Sequence, residues 1–306
     1  MDAFLSVILE VAVILLLILV GYFTVKKGMF TKESLGSITS FLLYIITPCL
    51  IVSSFLSAES GKLDGWTLLL AVVLPALSIV ISIAVSYLFF RREPLGRRRV
   101  LRFSTVFCNV GFMGIPLVEG IVGSEGVLYG SFFIAVFNIF CWTYGYVMMG
   151  GGKVRLKALL LNPGVIGIVI GLPLYLLDVP VPALFVEPVE LISALNTPLA
   201  MIVVGGYIAQ VKLRAFVSDL AVYKMAVLRL VVAPLLYLAL VWLLRPDETL
   251  LMSTVIQAAT PVAANCVLFA VQFGSDAELA SKSVAVSTAL SVVTIPLLTV
   301  LVQALL

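Results

Sequence analysis

The sequence predicts an all-α integral membrane protein: ten transmembrane helices forming two inverted five-helix repeats, with spans 4 and 9 broken and crossing. Three observations carry this reading. Of the 306 residues, 62% are hydrophobic and 11% charged, where a soluble domain carries about 25% charged residues. Two apolar segments are interrupted by helix breakers, at Asn109-Val110-Gly111-Phe112-Met113-Gly114-Ile115-Pro116 and at Thr260-Pro261-Val262-Ala263-Ala264-Asn265. The second half of the chain also echoes the first: Ile46-Thr47-Pro48 returns 150 residues later as Asn196-Thr197-Pro198.

A helix needs about 20 mainly apolar residues to cross a bilayer. Ten stretches qualify: 4–24, 36–57, 66–90, 99–121, 125–149, 159–178, 188–210, 219–244, 249–273 and 281–305. The first follows Met1-Asp2-Ala3-Phe4, which lacks the basic region of a cleavable signal, so it is expected to remain. No long polar stretch separates the others, and residues 1–306 read as a single membrane domain.

Basic residues set the orientation. Sixteen of the nineteen Lys and Arg lie in or beside the loops that follow spans 1, 3, 5, 7 and 9, with Arg91, Arg92, Arg97, Arg98, Arg99 and Arg102 clustered around one of them. The opposite loops hold Lys62 and Arg245 together with Glu59, Asp64, Asp178, Glu187, Asp247 and Glu248. Basic loops stay inside, which places both termini outside a plasma or inner membrane. The net charge of +3 therefore reflects topology, and nothing in the pattern suggests nucleic acid.

Further pairs support the repeat. Gly123-Ser124-Glu125 recurs as Gly274-Ser275-Asp276 at a spacing of 151, Gly21 matches Gly171 at 150, and Pro75 matches Pro234 at 159. The repeats then cover 1–149 and 153–306. Five helices is an odd number, so the second repeat enters from the opposite side and is inverted. Paired helix breaks in inverted repeats are a sequence pointer to the binding site of a membrane carrier.

At a break, the last C=O and first N–H groups of the half-helices lack partners. A helix N-terminus carries roughly half a positive charge, favourable to an anion. Pro116 and Pro261 are expected to enforce the breaks, and Gly111 and Gly114 to permit close backbone approach. Asn109 and Asn265 can stitch freed backbone groups or hold a polar group of the substrate. Thr260, Gln257, Ser131 and Asn138 offer neutral oxygens. No Asp or Glu lies in either break, so a sodium site built on a carboxylate is not visible, and an organic anion is the natural cargo.

Other residues carry two readings each. Thr47-Pro48 and Asn196-Thr197-Pro198 form either one wall of the pocket or hydrogen-bonded proline kinks. Arg229, deep in span 8, neutralises a substrate carboxylate, or else snorkels or pairs with an acid; Glu10 can titrate. Glu119 reads as a solvated helix end. Gly164, Gly167 and Gly171 share a face suited to close packing, inside the molecule or across a dimer. Trp66, Trp142 and Trp242 read as interface anchors or core. The four cysteines sit in apolar segments, suited to packing, with no disulfide or metal spacing. Histidine is absent, and no HExxH or GxSxG occurs, which argues against an enzyme; no cofactor is called for.

At these motifs the chain resembles the auxin efflux carrier family, which includes plant PIN proteins and bacterial anion carriers. Asn109 preceding Met113-Gly114-Ile115-Pro116-Leu117 is similar to the plant signature. Leu161-Asn162-Pro163-Gly164-Val165-Ile166-Gly167 resembles the start of the family's second repeat. Pro261-Val262-Ala263-Ala264-Asn265, and Ser287-Thr288-Ala289-Leu290-Ser291 through Ile295-Pro296, resemble its last two helices. The resemblance implies a scaffold of spans 1, 2, 6 and 7, a transport domain of spans 3–5 and 8–10, and a homodimer. It points to indole-acetate-like or small carboxylate substrates. Only Gly150-Gly151-Gly152-Lys153 joins the halves, so the plant proteins' large loop is missing.

The function expected is secondary active or facilitative transport of a small organic anion, auxin-like or a mono- or dicarboxylate. An elevator-type alternation, efflux and proton coupling fit this reading. The candidate substrate residues are Asn109, Gly111, Pro116, Thr260, Pro261, Asn265, Thr47, Asn138 and Arg229. The alternatives are a sodium-coupled organic anion importer of bile-acid-carrier type and a membrane receptor without turnover.

Overall fold

The computed structural model describes residues 2–57, 64–150, 152, 161, 163–210 and 219–305; for 2–11, 14, 15, 32 and 43 it describes the backbone alone. Glu59, Lys62, Lys153, Arg155, Lys157, Asn162, Lys212, Arg214 and the side chain of Glu10 lie outside that description.

Among the described residues the protein is helical throughout, without strands. Its α-helices are α1 (Asp2–Lys26), α2 (Lys32–Phe41), α3 (Thr47–Leu56), α4 (Gly65–Phe89), α5 (Leu95–Val106), α6 (Ile115–Val122), α7 (Ser124–Phe140) and α8 (Tyr146–Met149). After the join come α9 (Pro163–Leu176), α10 (Ala183–Ser193), α11 (Asn196–Gln210), α12 (Leu220–Val227), α13 (Ala233–Leu244), α14 (Glu248–Ala258), α15 (Asn265–Gln272) and α16 (Ala277–Leu305). Helix is found at each of the ten expected spans, although the second begins four residues earlier than expected and the seventh five. Among the described residues, six helices are long and apolar enough to cross a membrane.

Among the described residues four π-helical segments sit within these rods: Leu42–Ile46, Val110–Gly114, Cys141–Gly145 and Leu228–Val232. Three of them share a cause. Pro48, Pro116 and Pro234 each stand six residues after the first π residue. Proline has no N–H and its ring collides with the carbonyl four residues back, so the turn before it widens to an i→i+5 ladder. Pro116 therefore does not break span 4. It lies at the start of α6 in continuous helix, and the chain leaves helix earlier, at residues 107–109.

Loop residues close the rods. Asp64, Asp219, Asp247 and Asp276 accept from the backbone N–H of Thr67, Ala221, Leu250 and Leu279 at 2.8, 3.1, 3.2 and 2.9 Å, so several loop acids are helix N-caps. Gly123 and Gly274, matched by sequence, do matched work: both take positive φ (93° and 63°) where the chain turns into α7 and α16.

Glycines set the tightest packing. α1 lies along α11, and a Cβ at Gly21 would stand 1.9 Å from the Ile202 carbonyl oxygen; one at Gly205 would stand 1.9 Å from that of Ile18. The glycine stripe of α9 packs on α3, with Gly167 against Ile51 and Gly171 against Phe55. Both contacts lie inside the chain, which answers where that stripe is used. Gly205→Ala is expected to lower stability by about 2–3 kcal/mol, because the obstacle is backbone that cannot yield. Gly36→Ala, in α2 with nothing within 4 Å, is expected to be neutral or to stabilise by up to ~1 kcal/mol. Thermal unfolding in detergent checks this; equal midpoints for the two variants would refute the close approach.

Candidate functional site

The two breaks meet. Cys108 and Val262 form an isolated antiparallel bridge. The Asn109 N–H donates to the Pro261 carbonyl at 2.7 Å, and the Ala263 N–H donates to the Phe107 carbonyl at 3.0 Å. Each break thus supplies partners for backbone groups that the other frees, as an apolar surrounding demands. The Val262 N–H donates to the Ser287 hydroxyl at 3.1 Å, and the Ser291 hydroxyl reaches Met113 Sδ at 3.8 Å. The serines of the family-like segment in α16 therefore support the crossing.

Four helix ends converge here. α5 and α14 end at it, and helix resumes at Val110 and at Asn265. Arg229, 1% exposed in the π segment Leu228–Val232, donates to the carbonyls of Thr105 (3.1 Å), Val106 (3.2 Å) and Ala258. Those are the C-terminal carbonyls of both first halves, each end carrying roughly half a negative charge. One guanidinium therefore joins and neutralises two helix ends. Arg229 neither reaches the surface nor, among the described residues, pairs with an acid.

Beside the crossing lies a cavity of about 180 Å³, where one water needs roughly 10–15 Å³. Val110, Gly111 and Phe112 line it from the start of one resumed helix, and Ala263, Ala264 and Asn265 from the start of the other. Helix starts leave N–H groups without an intrahelical acceptor; here Val110, Cys266 and Val267 turn theirs to the carbonyls of Cys108, Ala263 and Ala264. Asn109, Thr47, Tyr44, Asn138 and Trp142 add polar groups, and among the described residues no charged side chain lines the space.

The expected residues divide accordingly. Asn109, Gly111, Asn265, Thr47 and Asn138 gather around the cavity, while Pro116, Thr260, Pro261 and Arg229 stand outside its lining. The Asn109 side chain does not cap the helix it precedes. Asn265 Nδ2 reaches only Cys141 Sγ, at 3.6 Å. Thr47 joins both of its readings, lining the cavity while its hydroxyl donates to the Leu42 carbonyl at 2.9 Å. The Thr260 hydroxyl donates to the Gln257 carbonyl at 2.8 Å. A Cβ at Gly111 would meet nothing within 4 Å, so that glycine permits open space instead of close approach. Gly114 is the crowded one, with Gln257 Cγ at 3.3 Å. Thr197, the repeat partner of Thr47, donates to Glu119 at 2.7 Å, so Glu119 is exposed but engaged.

Sequence reasoning missed the aromatic wall. Trp142 lines the cavity, its ring edge-on to Phe269 at 5.1 Å, and its indole N–H is buried without an acceptor among the described residues. The signal was present: Ile134, Asn138 and Trp142 recur every four residues, one face of a helix. Tyr44, Phe112 and Phe137 complete the wall.

Comparison with known proteins agrees with this architecture. The chain is 26% identical over 290 residues to an "Uncharacterized transporter" of Methanothermobacter thermautotrophicus, covering 93% of this chain and 94% of that protein. It is 23% identical over 291 residues to a "Putative malonate transporter" of Rhizobium meliloti, covering 91% and 90%. The profile of the family described as membrane transport protein matches residues 6–299. The chain therefore belongs to the membrane transport protein family, that of the auxin efflux carriers.

Proposed function

We propose that the cavity at the crossing binds a small organic anion, a mono- or dicarboxylate, and that the protein carries it across the membrane. The observation behind this reading is the arrangement of helix ends. The first residues of both resumed helices line the cavity, while the two C-terminal ends are held by Arg229, which is not among its lining residues. Partial positive charge is thus offered to the cavity, and among the described residues no carboxylate lines it to oppose an anion. Asn109, Asn265, Asn138 and Trp142 supply directional donors. The malonate in one relative's name suits the same chemistry.

The wider mechanism is an elevator. We read the chain as ten spans in two inverted repeats with the basic loops inside, an arrangement in which the crossing would lie near the midplane. The glycine-tight pairs α1 with α11 and α9 with α3 form the fixed scaffold, and the helices carrying the crossing slide against it. Arg229 already fills the place among carbonyls that a coupling cation would take, so sodium is not part of the cycle.

Two measurements test these statements in proteoliposomes. Saturable uptake of labelled malonate, other mono- and dicarboxylates, or indole-acetate is expected. Asn109→Ala and Asn265→Ala each remove a hydrogen bond to a charged group, of about 1.5–3 kcal/mol. Their apparent affinity should fall roughly ten- to hundred-fold, with unchanged thermal stability because the bridge uses the Asn109 backbone. Unaltered flux in both variants would remove the cavity from the transport path.

Replacing external and internal sodium by N-methylglucamine should leave wild-type flux intact. Arg229→Gln should lower both flux and the unfolding midpoint, since each stranded carbonyl costs about 1–3 kcal/mol. A strict sodium requirement in the wild type would overturn the role given to Arg229.

A further inference from the structure

Apart from the crossing, one other cavity carries chemistry. It holds about 240 Å³ between the end of α4 (Tyr87), the start of α5 (Leu95, Arg98, Arg99, Arg102) and the segment Tyr144, Val147 and Met148. We propose that this pocket binds a phosphate group, presented by an anionic phospholipid of the leaflet that the basic loops face.

The arginines of this turn are not alike. Arg97 is occupied, 2.7 Å from Asp219, 3.5 Å from Glu93 and 3.9 Å from Asp276. Arg98, Arg99 and Arg102 point into the pocket, and none has a carboxylate within ion-pair distance among the described residues. Arg102 lies flat on Tyr87, 3.9 Å from ring centre to guanidinium carbon. That stacking fixes the plane of its fork. Its Nε is nevertheless buried without an acceptor among the described residues, while the buried Tyr144 hydroxyl has the Tyr87 hydroxyl as its neighbour. Arg99 rests against Gly150, where a Cβ would stand 3.1 Å from its Nη1 and where φ is +114°. The glycine therefore leaves room for the guanidinium.

Topology alone asks for basic loops, which open water would satisfy. It does not ask for three guanidiniums around one cavity with no carboxylate partner among the described residues, one stacked on Tyr87, one wedged against Gly150 and one donating to the Arg91 carbonyl at 3.4 Å, nor for a buried Arg102 Nε left unmatched there. Donors converging from several directions suit a tetrahedral oxyanion, and guanidiniums bind phosphate bidentately. The rim favours a lipid as its source. Tyr87, Leu88, Phe89, Leu95 and Val147 are exposed apolar or aromatic surface beside the arginines, suited to acyl chains while the headgroup enters between the helices.

Thermal unfolding of the purified full-length protein in neutral detergent tests the proposal. Phosphatidylglycerol, phosphatidylcholine and inorganic phosphate are added separately. The variant Arg99→Gln with Arg102→Gln is compared with Arg91→Gln with Arg92→Gln, which removes equal charge from outside the pocket. Phosphatidylglycerol should raise the midpoint several degrees more than phosphatidylcholine, and that difference should vanish in the pocket variant alone. Where the double variant does not fold, Arg99→Gln should halve the difference or more. Equal stabilisation by inorganic phosphate would keep the phosphate site and overturn its lipid source. Equal shifts with both lipids and none with phosphate, or equal losses in both double variants, would overturn the proposal.

Discussion

Everything in this protein depends on giving hydrogen-bond partners to backbone that leaves helix in an apolar interior. A broken helix surrounded by hydrocarbon strands several carbonyls and N–H groups at several kcal/mol each. Here two breaks satisfy one another through the bridge of Cys108 with Val262. Each break takes its partners from the other, so the halves of the chain are locked together at the crossing. The remaining carbonyls fall to Arg229, and a remaining N–H falls to Ser287.

The same demand explains the prolines. Each of Pro48, Pro116 and Pro234 withholds an N–H inside a rod, and each is preceded by one turn of wider helix. At Leu42 the Thr47 hydroxyl adds a second donor to the disturbed carbonyl, so a residue that lines the cavity also mends the ladder. Side chains with two such duties tie the shape of the cavity to the shape of the helices around it.

This division marks what could be read from sequence. Breaker residues located both interruptions, because Gly, Pro and Asn at membrane depth have few other uses, and the matched Gly123 and Gly274 proved to make matched turns. The position of the first break was misread because proline was credited with stopping a helix that it only widens. Arg229 was legible as an anomaly, but not as a clamp. Its partners are main-chain carbonyls 124, 123 and 29 residues away, and a carbonyl has no identity in a sequence. The aromatic wall was hidden for another reason: Trp142 in a membrane protein has several ordinary places to be, and only the spacing from Asn138 separates them.

The placement of Arg229 also bears on how a carrier must bind. A full positive charge in direct contact with a carboxylate, away from water, would hold it by a hydrogen-bonded ion pair whose rupture costs about 3–5 kcal/mol. Such a pair favours capture over release. In this protein the full charge is spent on helix ends outside the cavity lining, and a solute bound as proposed would meet neutral amides, an indole and the partial charge of first-turn N–H groups. Each such contact is individually modest, and their number selects for an anion without committing the site to retain it. In the proposed elevator, moving the crossing as one body would keep those contacts constant during translocation, so binding energy need not be surrendered midway. The stiff unit required for that motion is the bridge and its arginine clamp, which places the conditions for selectivity and for movement in the same few residues.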